Sequence, residues 1–179
     1  MYGNQYGTGC LTLTDPVCEP CAIKEKGRIR GVAFIKVGTV FSDISDPAEW
    51  ATNIGNGTVK VLPKTSGQYD GPTEKFGEGF GDADKEYETS EHKGKFMDPN
   101  YAVNAAFYNQ LRKVGYKEWK MAFCSDHYIH LTDVPVTCQP KAPIKNDKTA
   151  NIIWEVDFSF IQEDHPVPEL KPAGVFVCD

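Results

Sequence analysis

The side chains best able to do chemistry in this sequence are six cysteines and four histidines: Cys10, Cys18, Cys21, Cys124, Cys138 and Cys178, with His92, His127, His130 and His165. Cys18-Glu-Pro-Cys21 has the two-residue spacing of a zinc knuckle or a redox pair. A zinc ribbon needs a second such pair, and none is present. A thioredoxin-type pair sits between a strand and a helix. Here Asp15-Pro16 precedes the pair and the run Ala22 to Gly27 follows it, which reads as a loop. A structural role is expected instead, as a zinc clip, a disulfide or inert thiols. Cys10 and Cys178 are the candidates to join Cys18 and Cys21 in such a clip, since both fall in segments without periodicity. His127 and His130 stand three apart on an expected hairpin, an offset that places them on opposite faces of a strand and does not suit shared metal ligation. They are read as solvent-facing. Nucleophile elbows, zincin motifs and Walker loops are absent from the sequence, and no GxGxxG lies between a strand and a helix. No catalytic residue and no bound cofactor is therefore expected.

A second concentration of polar groups lies between Glu74 and Glu91. Seven carboxylates stand there against Lys75 and Lys85, a net of −5 in a chain whose total is −6. Gly77-Glu-Gly-Phe-Gly81 has the glycines of a phosphate loop, but Glu78 and Asp82 would repel a phosphate. Asp82 and Asp84 supply only two positions of a calcium loop. The acidic run is read either as a solvated face or as a surface that repels polyanions. Tyr69, Phe76 and Phe80 punctuate the same glycine-rich stretch. Residues 64–84 are expected to be a long loop that orders only against a neighbour, with Tyr69, Phe76, Phe80, Glu78, Asp82 and Asp84 as its contact residues.

The elements around these groups are mostly strands. Arg28 to Phe41 is rich in β-branched and aromatic residues, Val59 to Leu62 is a short strand stopped by Pro63, and Lys117 to Phe123 alternates. Tyr128 to Leu131 can pair back through the turn Ser125-Asp126-His127. Val134 to Cys138, flanked by Pro135 and Pro140, suits a sheet edge. In Asn151 to Phe160 the residues Trp154, Val156, Phe158 and Phe160 share one face, the signature of a half-buried antiparallel strand. Asp46-Pro47 and Asp98-Pro99 each read as an N-cap followed by the first helical residue, giving helices over 47–54 and 99–114. The sequence thus predicts a mainly β, antiparallel sandwich or barrel over residues 28–162 with two flanking helices. A cysteine-containing arm (1–27) precedes it and a proline-rich extended arm (163–179) follows it.

Composition narrows the function classes. A chain of 179 residues with 40% hydrophobic and 25% charged content can build one domain with a core. Its negative charge opposes a role that grips nucleic acid through phosphates. The opening MYGNQYGTGC is polar and uncharged, unlike a secretory signal, and no apolar run is long enough to span a bilayer. A glycan-binding sandwich would need an exposed aromatic platform, whereas Trp50, Trp119 and Trp154 all fall on expected core faces.

In order along the chain, Cys18-Glu-Pro-Cys21, Gly27-Arg-Ile-Arg-Gly-Val-Ala-Phe-Ile35, Ser45-Asp-Pro-Ala-Glu-Trp50, Thr65-Ser-Gly-Gln-Tyr-Asp70, Phe80-Gly-Asp82 and Asp98-Pro-Asn-Tyr101 resemble virion structural proteins of crAss-like and related tailed phages of Bacteroidetes. Val134-Pro-Val-Thr137, Pro140-Lys-Ala-Pro143 and Trp154-Glu-Val156 extend the resemblance over most of the chain. It implies a non-enzymatic, ring-forming subunit of the neck or tail with a tail-tube-like fold. The implied partners are further copies of itself and neighbouring virion proteins, and DNA passes through the lumen without specific binding. The implied location is the virion, assembled in the host cytoplasm.

Overall fold

The computed structural model describes residues 14–16, 25–81 and 84–177. They form a mainly antiparallel β-sandwich of two sheets, with nine strands and two helices among the described residues. The five-stranded sheet runs β2 (Val59–Leu62), β1 (Gly31–Lys36), β5 (Trp119–Cys124), β6 (Tyr128–Leu131), β9 (Pro168–Leu170). The four-stranded sheet runs β3 (Ser66–Gly77), β4 (Glu86–Asp98), β8 (Trp154–Gln162), β7 (Thr137–Lys141). Helix α1 covers Pro47–Gly55 and α2 covers Ala105–Glu118.

Alternation along the strands decides what each sheet buries. In β8 the residues Trp154, Val156, Phe158 and Phe160 point inward, as their two-residue spacing predicts, and pack on Phe34, Phe96, Met121, Phe123 and the α2 residues Tyr108 and Leu111. The five-stranded sheet also carries a second apolar face: Ala33, Ile35, Val59, Ala122, Cys124 and Ile129 meet Trp50 of α1 together with Phe41 and Phe176. Burial on both faces explains why β1 and β5 read as near-continuous apolar runs.

The two helix starts come out differently. Asp46 is the N-cap of α1, and one of its side-chain oxygens accepts the Ala48 N–H at 2.9 Å. Asp98 does not cap α2. It is the last residue of β4, paired with Trp154, and α2 begins at Ala105 behind Asn104. The Asp98 carboxylate is 1% exposed and gathers four donors: the Asn100 N–H and Nδ2 (2.9 and 3.0 Å), Asn104 Nδ2 (2.6 Å) and the Tyr108 hydroxyl (2.8 Å). A carboxylate held in the interior by donors alone orients its partners strongly, and here it clamps the strand end to the turn and to α2. Burial first, and the Asp98 charge second, push the Tyr108 phenol well above its ordinary value. Nor does α2 stop at Gly115: it continues to Glu118, and Gly115 sits where a Cβ would press on Leu111 and the Val136 carbonyl.

Two further expectations are corrected. Residues 64–84 are not one loop, since Ser66–Gly77 form the longest partner of β4, with register shifts near Gly71 and between Lys75 and Phe76. The proline-rich tail, expected as an extended arm outside the domain, is part of it as far as Phe176, because Pro168–Leu170 add to β6 and Phe176 seals Trp50 and Gly31. A two-sheet sandwich has four edges, and each edge strand carries or abuts a proline: Pro72 in β3, Pro140 in β7, Pro168 in β9 and Pro63 after β2.

Urea unfolding tests this architecture. Trp154→Ala is expected to cost about 3–5 kcal/mol. Tyr108→Phe, which removes one bond to a buried charge, should cost about 1.5–3 kcal/mol. Asp46→Ala should cost about 0.5–2 kcal/mol. If Trp154→Ala lost less than about 1 kcal/mol, the inward face of β8 would be misassigned.

Candidate interaction site

The acidic, aromatic segment becomes the outer end of the β3–β4 hairpin. Inside the sandwich β4 is flanked on both sides, by β3 and by β8, but pairing with β8 ends at Ser90 opposite Gln162. From Glu86 to Thr89 the only partners of β4 among the described residues are Lys75 to Gly77 of β3. A two-stranded ribbon of this kind gains little from its own contacts, because among the described residues no third strand or core lies beneath it.

Its side chains reflect that. Phe76 is 58% exposed and meets Tyr87 edge-on across the ladder, with ring centres 6.1 Å apart. The Tyr87 hydroxyl bonds back to Ser90 Oγ and to the Glu163 carbonyl, which anchors the base of the ribbon to the end of β8. Phe80 lies past the strand end and is 98% exposed. Glu78 and Asp84 are exposed as well, while Asp82 lies outside the described residues. The nearest ion pairs are at the root, where Glu91 meets Lys75 at 3.0 Å and Lys93 at 3.3 Å. Hydrogen bonds from these lysines hold the Glu91 carboxyl below the usual range. An exposed phenyl ring among carboxylates is a contact surface of unusual composition.

Tyr69 does not belong to this surface. It packs inside its own domain, on Phe123 (4.9 Å), Phe160 (6.3 Å) and His92 (6.1 Å). Its hydroxyl lies 2.5 Å from His92 Nδ1, and His92 Nε2 lies 3.1 Å from the Gln162 carbonyl. A carbonyl only accepts, so Nε2 carries a hydrogen, and in the neutral ring Nδ1 then accepts from the Tyr69 hydroxyl. Burial raises the Tyr69 phenol to about 12.

His130 is therefore less exposed than its spacing suggested, whereas His127 and His165 are exposed. His92 is fully buried, and His130 is half-buried, stacked on Phe123 and beside His165. Only His127 of the 127/130 pair is solvent-facing, and its backbone N–H and Nδ1 meet the Glu25 carboxylate. His92 could have been found in the sequence from its place in the alternating run Ser90, His92, Gly94, Phe96, Asp98, whose even positions all point inward. His130, Tyr69, Phe123, Cys124 and His165 line a cleft of about 260 Å³. Within the described residues no group of three or more histidine, cysteine or acidic side chains is placed to hold a metal ion. Cys10, Cys18, Cys21 and Cys178, with the zinc-clip expectation that rests on them, lie outside those residues. Cys124 and Cys138 are buried free thiols, pushed by burial up to about 11 and about 12.

Searches against protein families, curated proteins and solved structures found no match to this chain.

Two measurements check this geometry. Burial holds the His130 imidazole below its ordinary value of 6.5, so below that pH the unfolded chain binds the proton more readily than the folded one. Stability should fall as pH drops through 6.5 toward the folded pKa, and His130→Gln should flatten that fall in urea titrations. The Glu25 carboxyl, held down to about 2 chiefly by its hydrogen bond from Ser125, titrates in a separate and lower window. Separately, Cys124 and Cys138 should resist a thiol reagent in the native protein and react on denaturation, read by peptide mass spectrometry.

Proposed function

We propose that the chain is a non-enzymatic structural subunit that assembles into a homo-oligomeric ring in the neck or tail of a tailed phage virion, bounding part of the DNA conduit. The observation that carries this reading is the outer β3–β4 ribbon. It exposes Phe76 and Phe80, concentrates the chain's negative charge and, among the described residues, has no third strand to support it beyond Ser90. Apolar rings at an unsupported tip lower their free energy when a neighbouring surface covers them, by about 25 cal/mol per Å² of apolar area removed from water. The resemblance of its motif order to crAss-like phage virion proteins is in keeping with the same role. An acidic subunit also suits a channel through which DNA moves without sticking.

Light scattering and negative-stain electron microscopy of the purified protein test the proposal, with closed rings or a discrete oligomer expected. Deleting residues 78–85 and rejoining the strands with a two-residue turn should leave a folded sandwich that stays monomeric. In the intact protein, amides of Glu74 to Gly77 and Glu86 to Thr89 should exchange fast in the monomer and slow in the assembly. A wild-type chain that remains monomeric at all accessible concentrations, with these amides already protected, overturns the reading.

A further inference from the structure

A groove of about 340 Å³ lies where α2 crosses the end of the five-stranded sheet. Phe34 and Leu111 form its buried floor, Phe107 and Trp119 its half-buried walls, and Val114 stands at its mouth, 36% exposed. A dry cavity of about 150 Å³ lined by such residues takes a benzene ring, so this groove has room for a phenyl side chain. Its surroundings are basic. In β1, β2 and α2 together the one carboxylate is Glu118, on the groove's rim, against Lys36, Lys60, Arg112, Lys113 and Lys117. Arg112 is turned away to the Pro140 carbonyl, and Lys60 lines the groove itself. Lys113 and Lys117 lie one turn apart on the flank of α2 beside Val114. In a chain of net charge −6, this is a segregated positive surface around an apolar slot.

Its complement is the outer hairpin. Gly79-Phe80-Gly81 presents a phenyl ring between two residues without side chains, with Gly81 in the left-handed region at φ 66°, and Glu78, Glu86 and Glu88 close by. The hairpin does not reach the groove of its own chain. Phe34 on the groove floor touches Phe96, and nine residue steps along β4 lead from Phe96 to Tyr87, about 30 Å of extended strand. The ribbon then continues away from that end. Ring and slot thus sit at opposite ends of one molecule, which is the arrangement a head-to-tail contact needs.

Resting on the assembly reading above, we infer that Phe80 of one copy seats in the α2–β1–β2 groove of the next copy, with the ribbon carboxylates facing Lys60, Lys113 and Lys117. The contact is heterologous, so it closes into a ring or propagates according to the rotation between copies. Phe80 is its anchor, and the charges set register and salt sensitivity.

The test uses the full chain with a photo-crosslinking benzoylphenylalanine at position 80, mixed with isotope-labelled wild type. Crosslinks should join position 80 of one copy to residues of α2 or β2 in another. Phe80→Ala and Val114→Glu, both at exposed positions, should each weaken association about 30-fold with unfolding midpoints unchanged. Lys113→Glu with Lys117→Glu should weaken it too, and Glu86→Lys with Glu88→Lys in the same chain should restore it. Crosslinks to another surface of a neighbour, to the same chain or to nothing, in a protein that still forms oligomers, overturn the groove assignment while leaving the ring reading intact. A wild-type chain that never oligomerises overturns both.

Discussion

The carboxylate of Asp98 is where the parts of this protein meet. It ends the strand shared by the sandwich and the protruding ribbon, it stands opposite Trp154, and it accepts bonds from the turn and from Tyr108 of α2. An ionised group in the interior without donors would cost several kcal/mol, so the turn and helix must arrive in the geometry that supplies them. That requirement fixes where α2 lies over the core. The position of α2 in turn decides that Phe107, Leu111 and Val114 flank Phe34 and leave a slot beside it. The Trp154 indole adds a second tie, donating to the Tyr101 carbonyl at 2.9 Å. Strand, turn and helix are therefore one mechanical unit.

Much of the sandwich was legible from side-chain period alone. The face Trp154, Val156, Phe158, Phe160 is the core face, β2 has the predicted bounds, and the hairpin through Ser125 to His127 forms as its turn residues suggest. What was misread has a common cause. Asp98-Pro99 carries every local signal of a helix start, yet a long-range pair with Trp154 and a buried acceptor role compete for the same residue and win. Local sequence reports capping propensity but not the partner that arrives from 56 residues away. Ser66 to Gly77 likewise contains three glycines and a proline, which weigh against a strand. Its register with β4 instead accommodates them at bulges and at a close approach, where a Cβ on Gly67 would collide with the Lys95 carbonyl.

The acidic aromatic stretch was recognised as unusual, but its two halves have different roles. Tyr69 belongs to the sandwich, half-buried against His92, whose inward placement follows from strand alternation and not from any motif. Phe76 and Phe80 belong to the ribbon. The dividing line falls where β8 runs out at Gln162, a boundary that no residue of β3 announces. The two-residue period says which way a side chain points, whereas the length of a distant neighbour says whether anything lies there to cover it.

The prolines at the sheet edges constrain how such a molecule meets its own copies. A strand that lacks a backbone donor at its rim, or is cut short by a proline, is a poor template for another strand. With Pro63, Pro72, Pro140 and Pro168 distributed over all four edges, merging of sheets between copies is discouraged at every rim. Any contact between copies is left to side chains, whose geometry is specific and whose ionic part weakens with salt. A chain crowded among many identical copies can then remain dispersed, and does not condense into an extended cross-strand aggregate.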